Sequence, residues 1–283
     1  MKLQKFGLTA LLTILATATP FQFQTEAKVP KPSEGMNGYS SSVSSLSNPA
    51  QRIANRQDEA KQLIEQGNQQ YKSNQLDAAI QSWQKALTVY RNIGDRQGEA
   101  LALALLGGAY SKSGNTVKGI ELFEQSLAIA REFKNLSAEA ILLRGLSAIH
   151  LQLKDYAKTV DYSQESLAIA RKLGDRKEEG YALTHLGIAY LGLKNYPKAL
   201  EYLQPSLAFA RERGDRRVEG GVLLGLALSS YQVRDYAKAV EYGQLCLPMV
   251  RESGDRKTET AVLAMLDDAS KALESARKPT PNF

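Results

Sequence analysis

Two histidines, one cysteine and several periodic rows of charge are the residues of this chain best equipped for chemistry. A histidine titrates near neutral pH, which suits it to general base work and to metal binding. His150 and His185, however, have no cysteine or carboxylate cluster beside them at ligand spacing. His150 stands midway between Tyr110 and Tyr190, at the interval that recurs throughout the chain, which marks a packing position, and His185 directly precedes Leu186. Cys246 is the only cysteine, so no disulfide can close within the chain, and its periodic equivalents are Ala86, Ser126, Ser166 and Ser206. A small core residue is expected there rather than a nucleophile. The string Glu219-Gly220-Gly221 follows no strand and matches no phosphate loop. The sequence therefore predicts no catalytic residue, no metal ligand and no cofactor.

Charge is more regular. Arg91, Arg131, Arg171, Arg211 and Arg251 recur at one constant interval, and Glu59, Glu99, Glu139, Glu179, Glu219 and Glu259 recur at the same one. Arg96, Arg176, Arg216 and Arg256 stand three residues before glutamates of that second row, a spacing that predicts ion pairs along one helix. A self-neutralising surface follows; the alternative is a basic strip for an acidic partner, to which Lys177, Arg217 and Lys257 would add. Tyr162, Tyr202 and Tyr242 form a third row beside Asp161, Glu201 and Glu241. Aromatics interleaved with bases would suit nucleic acid; interleaved with acids they point to packing between adjacent helices.

The elements that must position these rows emerge when the chain is cut at that interval. Gly-Asp-Arg occurs at 94–96, 174–176, 214–216 and 254–256, and the copies 94–133, 134–173, 174–213 and 214–253 align without a gap. Residues 54–93 form a more diverged first copy, and 254–278 match only the first half of a sixth. A fixed period of this size is the mark of a solenoid, whose units bury their apolar faces against one another. In the second copy, Leu103, Leu106 and Tyr110 mark one helix near 96–112, and Ile120, Phe123, Leu127 and Ala130 mark another near 116–132. Gly-Asp-Arg then falls at the joint: glycine takes the left-handed conformation after one helix and aspartate caps the next. Asn135 and Asn55 are expected to cap in the third and first copies.

Leu186-Gly187-Ile188-Ala189-Tyr190, then Tyr196-Pro197-Lys198-Ala199-Leu200-Glu201-Tyr202, then Ser206-Leu207, resembles the tetratricopeptide repeat over residues 54–278. The 40-residue period exceeds the family's usual length of about 34 and is similar to that of kinesin light chains and bacterial multi-repeat proteins. The proline that usually ends the family's second helix is absent. The resemblance implies an all-α, right-handed superhelical solenoid of antiparallel helix pairs, whose first helices line a concave peptide groove. Carried over by position, the wall comprises Ile64, Asn68, Tyr71, Leu101, Ala104, Gly108, Ile141, Arg144, Ala148, Leu151, Tyr181, Thr184, Ile188, Leu191, Leu224, Leu228 and Tyr231. The other reading of these mostly apolar residues is packing between adjacent first helices. The lysine-asparagine clamp that some members use for a terminal carboxylate is not evident.

The ends differ in composition. MKLQKFG, the short apolar run LTALLTILATAT and Ala16-Thr17-Ala18 resemble a secretory signal peptide over 1–27, with Thr25-Glu26-Ala27 as a second cleavage candidate. Residues 28–50, rich in serine and proline, read as a disordered linker. The solenoid spans 51–278 with 254–278 as its capping helix, and 279–283 form a tail. The chain is thus expected to be an exported, non-catalytic scaffold for a protein or peptide, with no membrane span after signal removal and an oligomeric state the sequence leaves open. Similar bacterial repeats often precede enzyme domains, so a regulatory or assembly-factor arm of an enzyme system is the alternative. Nucleic acid is disfavoured, since the formal charge of +6 includes Lys2 and Lys5 and the wall offers only Arg144.

Overall fold

The structure is a computed structural model that describes residues 48–277. The expected signal, most of the linker and the tail lie outside the described residues; the described residues hold eleven helices and no strand. These residues belong to two compact units, divided between Ile129 and Ala130.

The first unit holds α1 (Pro49–Lys72), α2 (Leu76–Ile93), α3 (Arg96–Lys112) and most of α4 (Thr116–Glu132). Helices α1 and α2 pack as a pair, and α3 packs on α2. Trp83 fills the space above Gly67 and donates from Nε1 to the Ile64 carbonyl at 3.3 Å. Gly107 and Gly119 let α3 and α4 approach until a Cβ on Gly119 would lie 2.9 Å from the Gly107 carbonyl oxygen. Of the expected stripe of α3, Leu103 and Leu106 are buried, as is Phe123 on α4, and Tyr110 is half-buried against the same core.

The second unit continues with α5 (Leu136–Gln152), α6 (Tyr156–Leu173), α7 (Arg176–Gly192), α8 (Tyr196–Glu212), α9 (Arg216–Gln232), α10 (Tyr236–Glu252) and α11 (Arg256–Arg277). Each helix packs on the next, and α5, α7, α9 and α11 also touch in succession. Here the pairs α5–α6, α7–α8 and α9–α10 stack as the tetratricopeptide-like solenoid expected from the sequence. The inner helices are the more buried: twelve of the 17 residues of α7 are buried against six of α8.

The joints follow the Gly-Asp-Arg reading. Gly94, Gly174, Gly214 and Gly254 take φ between 64° and 72°, the left-handed region that glycine enters at no steric cost. The Asp95 side chain accepts the Gly98 N–H at 2.8 Å, Asp215 that of Val218 at 3.1 Å and Asn135 that of Ala138 at 3.1 Å. Lys134 adopts the same conformation at φ 54° in place of glycine. Asn55 is a correction. It lies inside α1, accepting from Gln51 Nε2, and Asn48 is the cap instead, taking the Ala50 N–H at 3.1 Å. The helix extends past residue 55 because no glycine precedes it to reverse the chain, and Pro49 with its fixed φ opens the first turn.

Candidate functional site

The first unit places six of the candidate wall residues. Ile64 and Ala104 are buried, whereas Asn68, Tyr71, Leu101 and Gly108 are half-buried. Tyr71 leans on Trp83, ring centroids 5.7 Å apart, and Lys112 Nζ lies 4.4 Å from the Tyr71 centroid.

In the second unit Arg144, Leu151, Thr184, Ile188, Leu191 and Leu224 are buried, while Ile141, Ala148, Tyr181, Leu228 and Tyr231 keep part of their surface in solvent. Ile188 is 0% exposed, so in this structure it is core, packed within the first-helix stack. Of the candidate wall residues in this unit, only the five half-buried ones are left with surface for a ligand. Tyr231 is further fixed by donating its hydroxyl to Asp268, whose carboxylate and the surrounding burial push the phenol up to about 12.

The polar centre of this wall is a buried ion pair. Arg144 Nε on α5 donates to Glu178 Oε2 on α7 at 2.7 Å, their side chains only 7% and 5% exposed. The Arg144 guanidinium also lies 4.9 Å from the Tyr181 centroid. Behind it, Ser147 Oγ meets His185 Nδ1 at 3.0 Å and Ser163 Oγ at 2.5 Å, and Thr184 Oγ1 meets Ser206 Oγ at 2.7 Å. Burial, assisted by the Arg144 charge, drives the His185 pKa down to about 3, so the imidazole stays neutral. A neutral, enclosed histidine tied to a core serine cannot shuttle protons to solvent near pH 7. His150 packs against Tyr162 with centroids 5.4 Å apart, just as Tyr190 stacks on Tyr202 one period later at 5.5 Å, and its Nδ1 lies 3.3 Å from Asp155 Oδ2. Burial raises the Cys246 thiol to about 12 and its Sγ donates to the Gly243 carbonyl, which leaves it without thiolate character. The tyrosine row is thus interhelical packing at Tyr162 and Tyr202.

The charged rows pair differently from the expected pattern. Arg91, Arg131, Arg171, Arg211 and Arg251 each place Nε 2.7–3.0 Å from the glutamate eight residues on, bridging the joint from one repeat's second helix to the next repeat's first. Arg96 does pair with Glu99 at 2.6 Å, but Arg176 and Arg216 reach Glu212 and Glu252 at 3.4 and 2.9 Å. Glu179 and Glu219 are held by Arg171 and Arg211 of the preceding row, whereas Glu99 accepts from Arg91 and Arg96 together. At Glu99 burial works against ionisation, yet hydrogen bonds from Arg91 and Arg96 outweigh it and hold the carboxyl below its usual range. Sequence reasoning missed Glu178 as a member of the wall. Glu178 lies one residue off the glutamate row, and only its partner's place on α5 reveals it.

Among the described residues no helix is long and apolar enough to cross a membrane, and no group of three or more histidine, cysteine or acidic residues is placed to hold a metal.

With the geometry in place, comparison with known proteins identifies the repeat. The family model described as tetratricopeptide repeat matches residues 63–132 and 138–212, together just over half the chain. No curated protein matches. Among solved structures the chain is similar to a signal transduction ATPase with numerous domains carrying a tetratricopeptide repeat sensor, from Pyrococcus horikoshii, with 22% identity and a TM-score of 0.62. That match covers 79% of this chain and 35% of that one. It is similar to aspartyl phosphate phosphatase F of Bacillus subtilis, with 16% identity, TM-score 0.58, and coverage of 80% of this chain and 63% of that one. It is also similar to a Rap protein complexed with Competence and Sporulation Factor, with 18% identity, TM-score 0.55, and coverage of 79% and 67%. The chain thus spans about a third of the first of these and under two thirds of the second.

Proposed function

The chain belongs to the tetratricopeptide repeat family, and we propose that it is an exported, non-catalytic adaptor that holds a protein or peptide against its first helices. The observation that carries this reading is the succession of stacked first helices in the second unit, along which the candidate wall keeps the half-buried row Ile141, Ala148, Tyr181, Leu228 and Tyr231. Such a row offers apolar area with a few fixed polar groups, which suits an amphipathic segment. In the first unit Asn68, Tyr71, Leu101 and Gly108 are the corresponding surface. The non-catalytic part rests on the state of the groups that could react: a neutral buried His185 and a protonated buried Cys246. The similar Rap fold, complexed with Competence and Sporulation Factor, supports the binding part.

Export rests on the sequence of residues 1–27 and is tested by fractionation with N-terminal sequencing of the mature protein. A start just after Ala18 or Ala27 is expected; an intact Met1 in the cytoplasmic fraction would overturn it. The binding reading is tested by capture on immobilised full-length chain from the exported fraction. Ile141→Glu and Leu228→Glu are expected to reduce capture at least tenfold with helical circular dichroism unchanged, since both side chains already meet solvent; capture indifferent to both moves the site elsewhere. A second reading, a regulatory arm for an enzyme system, draws on the likeness to the repeat sensor of the ATPase and predicts that a multidomain enzyme is what the chain retains.

A further inference from the structure

Residues 174–213 and 214–253 are the same repeat one period apart, and three of their side chains differ in concert. In the earlier repeat Gly180 makes room for Phe209, whose ring atoms would lie 2.1–2.3 Å from a Cβ at that position. Tyr181 meets Phe209 edge-on, with centroids 5.6 Å apart, and the Arg213 guanidinium lies 5.5 Å from the Phe209 centroid and 5.6 Å from that of Tyr181. One period later the glycine is kept as Gly220 and still lies under its neighbour, Met249, whose Cβ would be 2.9 Å from an added Cβ. Tyr181, Phe209 and Arg213, however, become Gly221, Met249 and Ser253. Two rings and a guanidinium have given way to a hydrogen, a thioether and a hydroxymethyl group. The helices have not closed over the loss: an open cleft of about 450 Å³ is lined by these very positions, Gly220, Gly221, Met249 and Ser253, with Arg216 and Arg217 at its rim.

We propose that this cleft is the subsite for an aromatic side chain of the polypeptide partner, seated where the preceding repeat carries its own Tyr181–Phe209–Arg213 stack. The inference rests on the adaptor reading above. Its chemistry is matched to a ring on two sides. The Met249 thioether supplies a polarisable floor, and thioethers make favourable contacts with aromatic edges. Arg217 is exposed and has no ion pair among the described residues, so its guanidinium can lie over the ring face as Arg213 does over Tyr181. The other charges around the cleft are already engaged. Arg216 is held by Glu252 at 2.9 Å, and the Asp255 carboxylate accepts the Lys257 and Thr258 N–H groups and the Thr258 hydroxyl. A saturated side chain of the same size would gain burial there and forgo the cation and sulfur contacts.

The test uses the full chain with carbon-13-labelled methionine methyls. Met249 lines the cleft, and Met265, buried at 1% exposure, is an internal control. Titration with N-acetyl-tryptophan amide should give a saturable upfield ring-current shift of the Met249 methyl and none at Met265. N-acetyl-cyclohexylalanine amide should bind at least threefold more weakly. The double variant Gly221→Tyr with Ser253→Arg, which copies the preceding repeat into the cleft, should abolish the response; Arg217→Gln, which leaves the cleft's shape intact, should weaken it about threefold and decides the matter if the double variant does not fold. A shift of equal affinity with the cyclohexyl probe, or one that survives Gly221→Tyr with Ser253→Arg, overturns the proposal. In parallel, random dodecapeptides displayed against the full chain should enrich for aromatic residues and lose at least tenfold in affinity for the double variant. Peptides that bind both forms equally leave the adaptor reading standing and sink the subsite. Peptides that bind no tighter than the single-residue amide would make the cleft a small-molecule pocket and overturn the polypeptide assignment. A chain that selects no peptide yet captures a protein from the exported fraction overturns the subsite alone; failure of that capture overturns the adaptor reading, whatever Met249 does.

Discussion

Removing one member of the Arg144–Glu178 pair strands a charge where water cannot reach it, because both side chains are almost fully enclosed. Arg144→Met is therefore expected to destabilise the second unit by about 3–5 kcal/mol, and the double change Arg144→Met with Glu178→Leu to recover most of that loss, as read from urea midpoints. Equal losses in the single and double variants would mean that packing, and not the charge, sets the cost. His185 gives a pH signature of its own. Its folded pKa, about 3, lies below the ordinary 6.5, so the folded state binds fewer protons between those values. Its contribution to stability is complete above pH 6.5 and falls as the solution is acidified toward pH 3. His185→Asn should flatten the stability profile between pH 6.5 and 5, before carboxylates titrate; an unchanged slope there contradicts the assignment. None of this was legible in the sequence, where His185 was only a residue before Leu186 and Glu178 stood outside every row.

At the scale of helices and joints the sequence was far more informative, since caps and left-handed glycines act over a few residues. The boundaries near 96–112 and 116–132 coincide with α3 and α4. Gly174→Ala forces a Cβ into φ 67° and is expected to cost about 1 kcal/mol, whereas Lys134→Gly relieves the same strain at φ 54° and should stabilise by a comparable amount. Asp215→Ala removes the acceptor for the Val218 N–H and should cost about 1 kcal/mol. Thermal denaturation of the three variants checks the ordering, and a destabilised Lys134→Gly would refute the strain argument. The arginine rows were legible as rows but not as pairs. Which glutamate an arginine finds depends on how one repeat sits on the next: the bridges over eight residues recur at each joint, while Arg176 and Arg216 reach Glu212 and Glu252 nearly one repeat-length away.

At the scale of the whole molecule the period carried the solenoid, because a chain that repeats its apolar pattern at a fixed interval can bury it only between neighbours, and the three-to-four spacing within each copy made it all-α. The wall was less legible for a related reason. First helices such as α7 and α9 are buried over most of their residues, polar ones included, so position cannot separate a side chain facing a ligand from one facing the next helix, and Ile188 and Leu224 are enclosed. Burial reduces the second unit's candidate surface to Ile141, Ala148, Tyr181, Leu228 and Tyr231. The central claim, that a polypeptide lies on this surface, is tested most directly by placing a photo-crosslinking amino acid singly at Ile141, Leu228 and, on the outer helices, the exposed positions Gln204 and Glu241 of the full chain in its native compartment. The account predicts one common polypeptide adduct from Ile141 and Leu228 and none from Gln204 or Glu241. Adducts from the outer positions alone would contradict it.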